Sequence, residues 1–302
     1  MKNPKKILIA NRGVIAIRAL RAAKELGYQV ASVYSTIDKD QKHLKLSDEA
    51  ICIGPAASKD SYLNEAAIIA AAELVGADAI YPGYGFLAEN SSFAEKCNQS
   101  GFKFVGPDPK VIEIMGDKIK AKELIESLGV PIVPGYTGNI QSQDQIENIV
   151  DEIGYPVIVK ASAGGGGKGM RVVEKKKDLW DCVISAQNEA QLAFGNGEVF
   201  IEKYLQKPRH IEVQVFGDGK GKVVHLYSRD CSLQRRYQKI VEEAPAINLP
   251  QDKLNEIQNI CVKACSELKY EGAGTLEFLY ENNEFYFIEM NTRIQVEHTV
   301  TE

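Results

Sequence analysis

The chain has no uninterrupted apolar run near the ~20 residues a membrane-spanning helix needs, and its N-terminus has no apolar core of a signal peptide. Basic charge is also scarce: 36 Lys and Arg stand against 41 Asp and Glu, a net charge of −5. That excludes the broad positive face of a nucleic-acid or anionic-membrane binder. The six cysteines show no CxxC spacing, so neither a thiol redox motif nor a zinc knuckle is present. Cys261 and Cys265 stand four apart on a predicted helix and read as core packing. Reduced thiols and a cytoplasmic setting follow as expectations. Internal repeats and low-complexity tracts are missing too. At 302 residues, 44% hydrophobic and 25% charged, the composition is that of a globular protein of two or more domains.

The first hundred residues alternate strand and helix. Lys6 to Ala10 reads as a buried strand, Gly13 to Leu26 as an amphipathic helix and Gln29 to Tyr34 as a second strand. Asn64 to Val75 is a predicted helix, and Ala79 to Tyr81 and Phe104 to Gly106 are predicted strands. This pattern implies a parallel, doubly wound α/β sheet. Lys118 to Leu128 is a helical link, and Pro131 and Pro134 punctuate the boundary after it.

Four consecutive glycines, Gly164 to Gly167, then Lys168 and Gly169, follow the apolar strand Pro156 to Lys160. Such a run favours neither helix nor strand, but its bare N–H groups can approach an anion closely. Lys160, Lys168 and Arg171 supply positive charge around it. The Gly-Lys-Ser/Thr ending of a Walker loop is absent, and a strand (Met170 to Val173) rather than a helix follows, which excludes a dinucleotide fingerprint. Val199 to Leu205 is an apolar strand ending in charge, the kind of wall an adenine pocket needs.

Between Glu289 and Glu297 every second residue is chemically capable: Glu289, Asn291, Arg293, Gln295 and Glu297. An extended chain would put all five on one face. Thr275 to Tyr280 and Glu284 to Met290 read as a hairpin. A three-residue loop, Glu281 to Asn283, would make Glu277 and Glu289 diagonal neighbours roughly 7–8 Å apart. A two-residue loop would reverse that parity. Two carboxylates with an amide oxygen nearby suit Mg²⁺.

These segments carry a resemblance. The chain resembles the biotin carboxylase component of biotin-dependent carboxylases, a branch of the ATP-grasp superfamily. The likeness runs in order through Ala10 to Gly13, Tyr81 to Phe86, Met115 to Lys118 and Lys160 to Val173. It continues through Glu202 to Leu205, Pro208 to His210, Arg229 to Cys231, Gln234 to Arg236, Glu242 to Pro245 and Phe287 to His298. The implied fold is α/β (α+β ATP-grasp): a Rossmann-like pre-ATP-grasp domain at 1–116, then an ATP-grasp domain at 117–302. The latter would have a small mobile lid at about 133–205 and a body at 206–302, incomplete at its C-terminus.

The resemblance implies roles. Lys118 and Lys160 would contact the phosphates of ATP, with Gly166 and Gly167 lying over them. Glu202, Lys203, Tyr204 and Leu205 would line the adenine site, with His210 at the ribose and Gln234 and Tyr237 nearby. Glu277, Glu289 and Asn291 would hold Mg²⁺ or Mn²⁺. Lys239, Arg293, Gln295 and the Val296 backbone would hold bicarbonate, and Glu297 would be the general base. Arg293, Glu297 and Lys239 form the catalytic set. The substrate would be biotin on a biotin carboxyl carrier protein or domain, and a carboxyltransferase component would follow. The intact protein would be a homodimer, with Arg18, Arg21 and Glu25 on a candidate contact helix. Neither nucleic acid nor membrane is an expected partner. The rival reading is another ATP-grasp ligase of the carbamoyl-phosphate synthase type, or a non-catalytic nucleotide-binding fragment.

Three departures stand out. Tyr237 occupies a position where histidine is usual, and Val14 one where glutamate is usual. The relatives also continue well past the position of Glu302, through a segment that supplies a further arginine. A fragment is therefore expected.

Overall fold

A computed structural model describes residues 5–138, 140, 142–162, 169–236 and 238–302. Gly166, Gly167 and Tyr237, and the glycine run as a whole, lie outside the described residues.

The N-terminal unit is a parallel sheet with helices on it. Its elements are β1 (Lys6–Ile9), α1 (Gly13–Glu25), β2 (Gln29–Ser35), α2 (Lys42–Leu46), β3 (Glu49–Gly54), α3 (Glu65–Val75), β4 (Ala79–Tyr81), α4 (Ser91–Gln99) and β5 (Lys103–Phe104). The sheet order is β3-β2-β1-β4-β5, every pair parallel, the doubly wound arrangement expected. The last strand is shorter than the expected Phe104 to Gly106. Chain order reverses between β1 and β4, the switch point of the sheet. Asn11 spans it, donating to the carbonyls of Pro82 (2.7 Å) and Tyr84 (2.8 Å). This fixes the loop 82–90 that leans toward the rest of the molecule.

Two helices, α5 (Pro109–Gly116) and α6 (Lys118–Ser127), lead out of this unit. Asp117 caps α6 by accepting from the backbone of Ile119 and Lys120. Next come β6 (Gly135–Tyr136), α7 (Gln143–Ile153), β7 (Val157–Ala161), β8 (Arg171–Val173), α8 (Leu179–Phe194) and β9 (Val199–Lys203). These strands form an antiparallel sheet ordered β6-β9-β7-β8. Its other face packs on α7 and α8 through Ile146, Val150, Val183 and Ala186.

The third unit is β10 (Arg209–Asp218), β11 (Val223–Arg235), β12 (Gln238–Glu243), α9 (Gln251–Glu267), β13 (Glu271–Glu281), β14 (Glu284–Asn291) and α10 (His298–Thr301). The sheet is antiparallel, ordered β12-β11-β10-β13-β14. One face buries Ile211, Val213, Leu276, Phe278 and Phe287 against α9, where Cys261 and Cys265 are core residues as expected. The opposite face carries the polar chemistry.

Candidate active site

The β13–β14 hairpin supplies the floor, and it departs from the expected geometry twice. The loop has two residues, Asn282 and Asn283, both at positive φ (54° and 65°). That is the twist-matching turn Asn tolerates well. A two-residue loop alone would set Glu277 opposite Ile288. A bulge at Ile288 restores the parity: Phe278 pairs with Phe287, and Glu277 then pairs with Glu289. The two carboxylates thus face each other directly instead of diagonally. The core explains the bulge, because Phe285, Phe287 and Met290 are all buried in it. Their spacing of two and then three needs one extra residue in the strand.

The second departure follows Asn291, where β14 ends. Arg293 to Glu297 are not one extended stretch but a loop and turn leading into α10. The five alternating side chains still reach one place. A cavity of about 830 Å³ is lined by Glu277, Glu289, Asn291, Arg293, Gln295, Val296 and Glu297. Lys118, Lys160, Glu202, Lys203, Tyr204, Leu205, His210, Gln234 and Lys239 line it as well. The structure therefore gathers every described residue of the expected site around one space.

Glu277 is the hub. Its Oε1 accepts from Lys239 Nζ (3.0 Å), Asn291 Nδ2 (2.6 Å) and Gln295 Nε2 (2.9 Å). Its Oε2 meets His210 Nε2 at 2.7 Å. Burial works against ionising this carboxyl, but the His210 hydrogen bond and the Lys239 charge outweigh it and hold it below the usual range. The same pairing acts on His210. Burial alone would depress the imidazole, yet Glu212 and Glu277 raise it to about 9, so it is a cation at neutral pH. Its Nδ1 lies 3.0 Å from Gln234 Nε2.

Lys239 is brought in by β12 and contacts three carboxylates: Glu277 and Glu297, each at 3.0 Å, and Glu212. Burial opposes its charge, and the carboxylates raise it well beyond the ordinary lysine range. Glu212 is fully buried. It stays ionised despite that burial, through His210, Lys239 and Arg229. Solvent reaches Glu289 through the cavity, yet its carboxyl is held above the usual range by its recessed setting and by Glu277 opposite. Among the described residues, no hydrogen bond or ion pair claims it. Two facing carboxylates, one uncompensated, fit a hard divalent cation with oxygen ligands. Glu277 and Glu289 would hold it, with Asn291 beside them.

The opposite end is set by β7 and β9. Glu202 is buried and paired with both Lys122 and Lys160, the latter at 2.7 Å. Burial and the neighbouring lysines lower Lys160 to about 8 and Lys122 to about 6. Lys203 donates to the carbonyls of Gly154 (2.9 Å) and Tyr155 (3.0 Å).

Arg293 pairs across the molecule. Its Nε donates to Glu89 Oε2 at 2.7 Å and its Nη2 to Asn291 Oδ1 at 2.9 Å. Its ion-pair partner is thus a glutamate of the N-terminal unit rather than the neighbouring Glu289 or Glu297. Sequence reasoning also missed Glu212, Arg229 and Lys122. For Glu212 a signal existed: His210, Glu212 and Gln214 alternate with Ile211, Val213 and Val215 along β10. Arg229 lies in the segment Arg229 to Cys231 that carries the resemblance, but nothing in the sequence gives it a role. Glu89, some two hundred positions from Arg293, had none.

With this geometry in place, comparison with known proteins is decisive. A family model for the biotin carboxylase N-terminal domain matches residues 3–112, and one for the carbamoyl-phosphate synthase L chain ATP-binding domain matches residues 117–302. The chain is 57% identical to the biotin carboxylase of Haemophilus influenzae over 299 residues, covering 98% of this chain and 66% of that protein. It belongs to the biotin carboxylase family. The Bacillus subtilis biotin carboxylase 1 is 53% identical, with 67% of its length covered. The crystal structure of a Campylobacter jejuni biotin carboxylase–β,γ-ATP complex superposes with a TM-score of 0.93 at 54% identity, over 99% of this chain and 68% of that one. A Hydrogenobacter thermophilus 2-oxoglutarate carboxylase biotin carboxylase domain dimer, solved with MgADP, ADP and bicarbonate, gives 0.91 at 50% identity, over 100% and 67%. The chain thus spans about two thirds of the length of the biotin carboxylases it matches. Its fold is that of the ATP-grasp biotin carboxylases. Among the described residues, no helix is long and apolar enough to cross a membrane.

Proposed function

We propose that the cavity binds Mg·ATP and bicarbonate, and that the whole protein carboxylates biotin borne on a carrier protein or domain for a carboxyltransferase component. One observation carries this reading. A single cavity joins a lysine-flanked end (Lys118, Lys160) to a carboxylate pair and to a cation set, Lys239 with Arg293, beside Glu297. Such a space suits a triphosphate whose terminal phosphorus meets a small anion.

The residues divide by chemistry. Glu202, Lys203, Tyr204 and Leu205 wall the adenine end, while His210 and Gln234 reach the ribose. Gly166, Gly167 and Tyr237 are assigned to nucleotide binding by the same proposal, on the resemblance alone. A divalent ion on Glu277, Glu289 and Asn291 would neutralise phosphate charge. Lys239, Arg293, Gln295 and the Val296 backbone hold bicarbonate. Arg293 has the planar fork that suits a carbonate-shaped anion. Fixed cations offset the repulsion between two anions, commonly the largest single catalytic contribution.

Glu297 takes the bicarbonate proton as an oxygen of bicarbonate bonds to the γ-phosphorus and ADP leaves. The carboxyphosphate splits to CO₂ and phosphate. The phosphate accepts the biotin N–H proton, and that nitrogen bonds to CO₂. In the whole protein a homodimer would use the α1 face with Arg18, Arg21 and Glu25. The domain division near 116/117 and the lid at about 133–205 belong to the same proposal, as does a cytoplasmic setting.

Phosphate release from Mg·ATP by this chain, with and without bicarbonate and free biotin, tests the reading. Bicarbonate-dependent release that biotin stimulates is expected. Mg·ATP binding without any release would favour a nucleotide-binding part without catalysis.

A further inference from the structure

Arg229 on β11 is the largest fully buried side chain among the described residues. A buried guanidinium is costly unless every donor is used, and here each is. Nε donates to Glu212 Oε2 (3.0 Å), and Nη1 to Gln214 Oε1 (2.7 Å) and Thr301 Oγ1 (2.9 Å). Nη2 donates to Thr275 Oγ1 (3.1 Å) and to Gln295 Oε1. Arg229 itself does not line the cavity, but Gln295 does.

A glutamine amide can present either end to a ligand. Gln295 is held between two neighbours that each accept only one orientation. Arg229 has donors and no acceptor, so it takes the amide oxygen. Glu277 Oε1, on the other side, accepts from the NH₂ at 2.9 Å. The amide therefore offers its remaining N–H to the cavity and keeps its oxygen away from it. An anion beside Gln295 meets a donor. With the amide reversed, the same anion would meet a carbonyl oxygen.

We infer that Arg229 is a positioning residue for the small anion, acting through Gln295 by fixing which end of its amide faces the cavity. The inference rests on the bicarbonate reading above. Its bond to Thr301 also ties down α10, the element that follows Glu297.

The test is binding of isotopically labelled bicarbonate to this chain in the presence of Mg·ADP, followed by NMR line broadening, with Mg·ADP affinity measured beside it. Arg229→Met and Gln295→Ala should each weaken bicarbonate at least tenfold. The double variant should be no weaker than the worse single, because both act through one amide. Mg·ADP affinity should stay within twofold of wild type. Bicarbonate affinity unchanged in Arg229→Met, or multiplying losses in the double variant, would overturn the inference. Should Arg229→Met fail to fold, Gln295→Glu carries the test. It retains an acceptor for Arg229 but replaces the N–H donors to Glu277 and to the anion with oxygens, so its thermal melt is measured beside its bicarbonate affinity. A folded Gln295→Glu that binds bicarbonate normally would sink the idea. Wild-type chain that binds Mg·ADP but no bicarbonate would instead overturn the proposed function, and this inference with it.

Discussion

Val14 occupies the second position of α1 and is 68% exposed. The first turn of that helix has no acidic residue, and Arg12 at its cap makes no side-chain capping bond. An anion there would face the positive end of the helix. Val14→Glu should therefore raise stability by about 0.3–1 kcal/mol in denaturant titration, and a loss would contradict the helix-end argument. Asp38 is the opposite case, a buried carboxylate already fully engaged. It accepts from Ser35 Oγ (2.6 Å), Tyr62 OH (2.8 Å) and Arg12 Nη1 (2.9 Å). Burial would raise its carboxyl, but these bonds more than reverse that and leave it below the ordinary value. Folded Asp38 thus binds its proton more weakly than unfolded Asp38. Its stabilisation is complete above the unfolded value of about 3.9 and is lost as pH falls through the folded one. Asp38→Asn should cost roughly 1–3 kcal/mol at neutral pH and flatten the acid side of the stability profile. An unchanged acid limb would show that Asp38 does not set it. Legibility at this scale followed local pattern. Glu277 and Glu289 could be read from alternation, whereas the Asp38 cluster joins three distant segments that no local pattern connects.

At the scale of elements, the hairpin shows how the right shared face can be reached through a wrong loop and a wrong pairing. The expected three-residue loop and the observed two-residue loop with a bulge both put Glu277 and Glu289 on one face. The bulge was visible only as the spacing of Phe285, Phe287 and Met290, within a run apolar enough to hide it. The end of β14 was not legible. Beyond Asn291 the Thr292 N–H turns to Glu89 Oε1 at 3.3 Å, so a residue of the N-terminal unit takes a role a neighbouring strand would otherwise fill. The parallel sheet, by contrast, was read from strand–helix alternation, because each of its elements buries a face locally. The turn gives a direct test. Asn282→Val places a β-branched residue at φ 54° and should cost about 1–3 kcal/mol. Asn282→Gly should be close to neutral by the same thermal melt. Equal stability of the two variants would remove the positive-φ explanation.

At the scale of the whole molecule, the Glu89–Arg293 pair ties the loop after β4 to the proposed anion end of the cavity. Glu89 is 42% exposed at its side chain, so its loss should change stability by no more than about 1 kcal/mol. Bicarbonate-dependent phosphate release should nevertheless fall, because Arg293 loses the partner at its Nε. A Glu89→Ala chain that melts far lower, or turns over normally, would deny the pair this role. The two facing carboxylates carry the proposed function, since a divalent ion held by them would make the cavity a site for Mg·ATP. Calorimetric titration of Mg·ATP into wild-type chain and into Glu289→Gln is the most direct test. The variant should keep its fold and bind Mg·ATP at least tenfold more weakly. Equal affinity would contradict the assignment of Glu289 to the divalent ion, and with it the reading of the hairpin as the floor of the site.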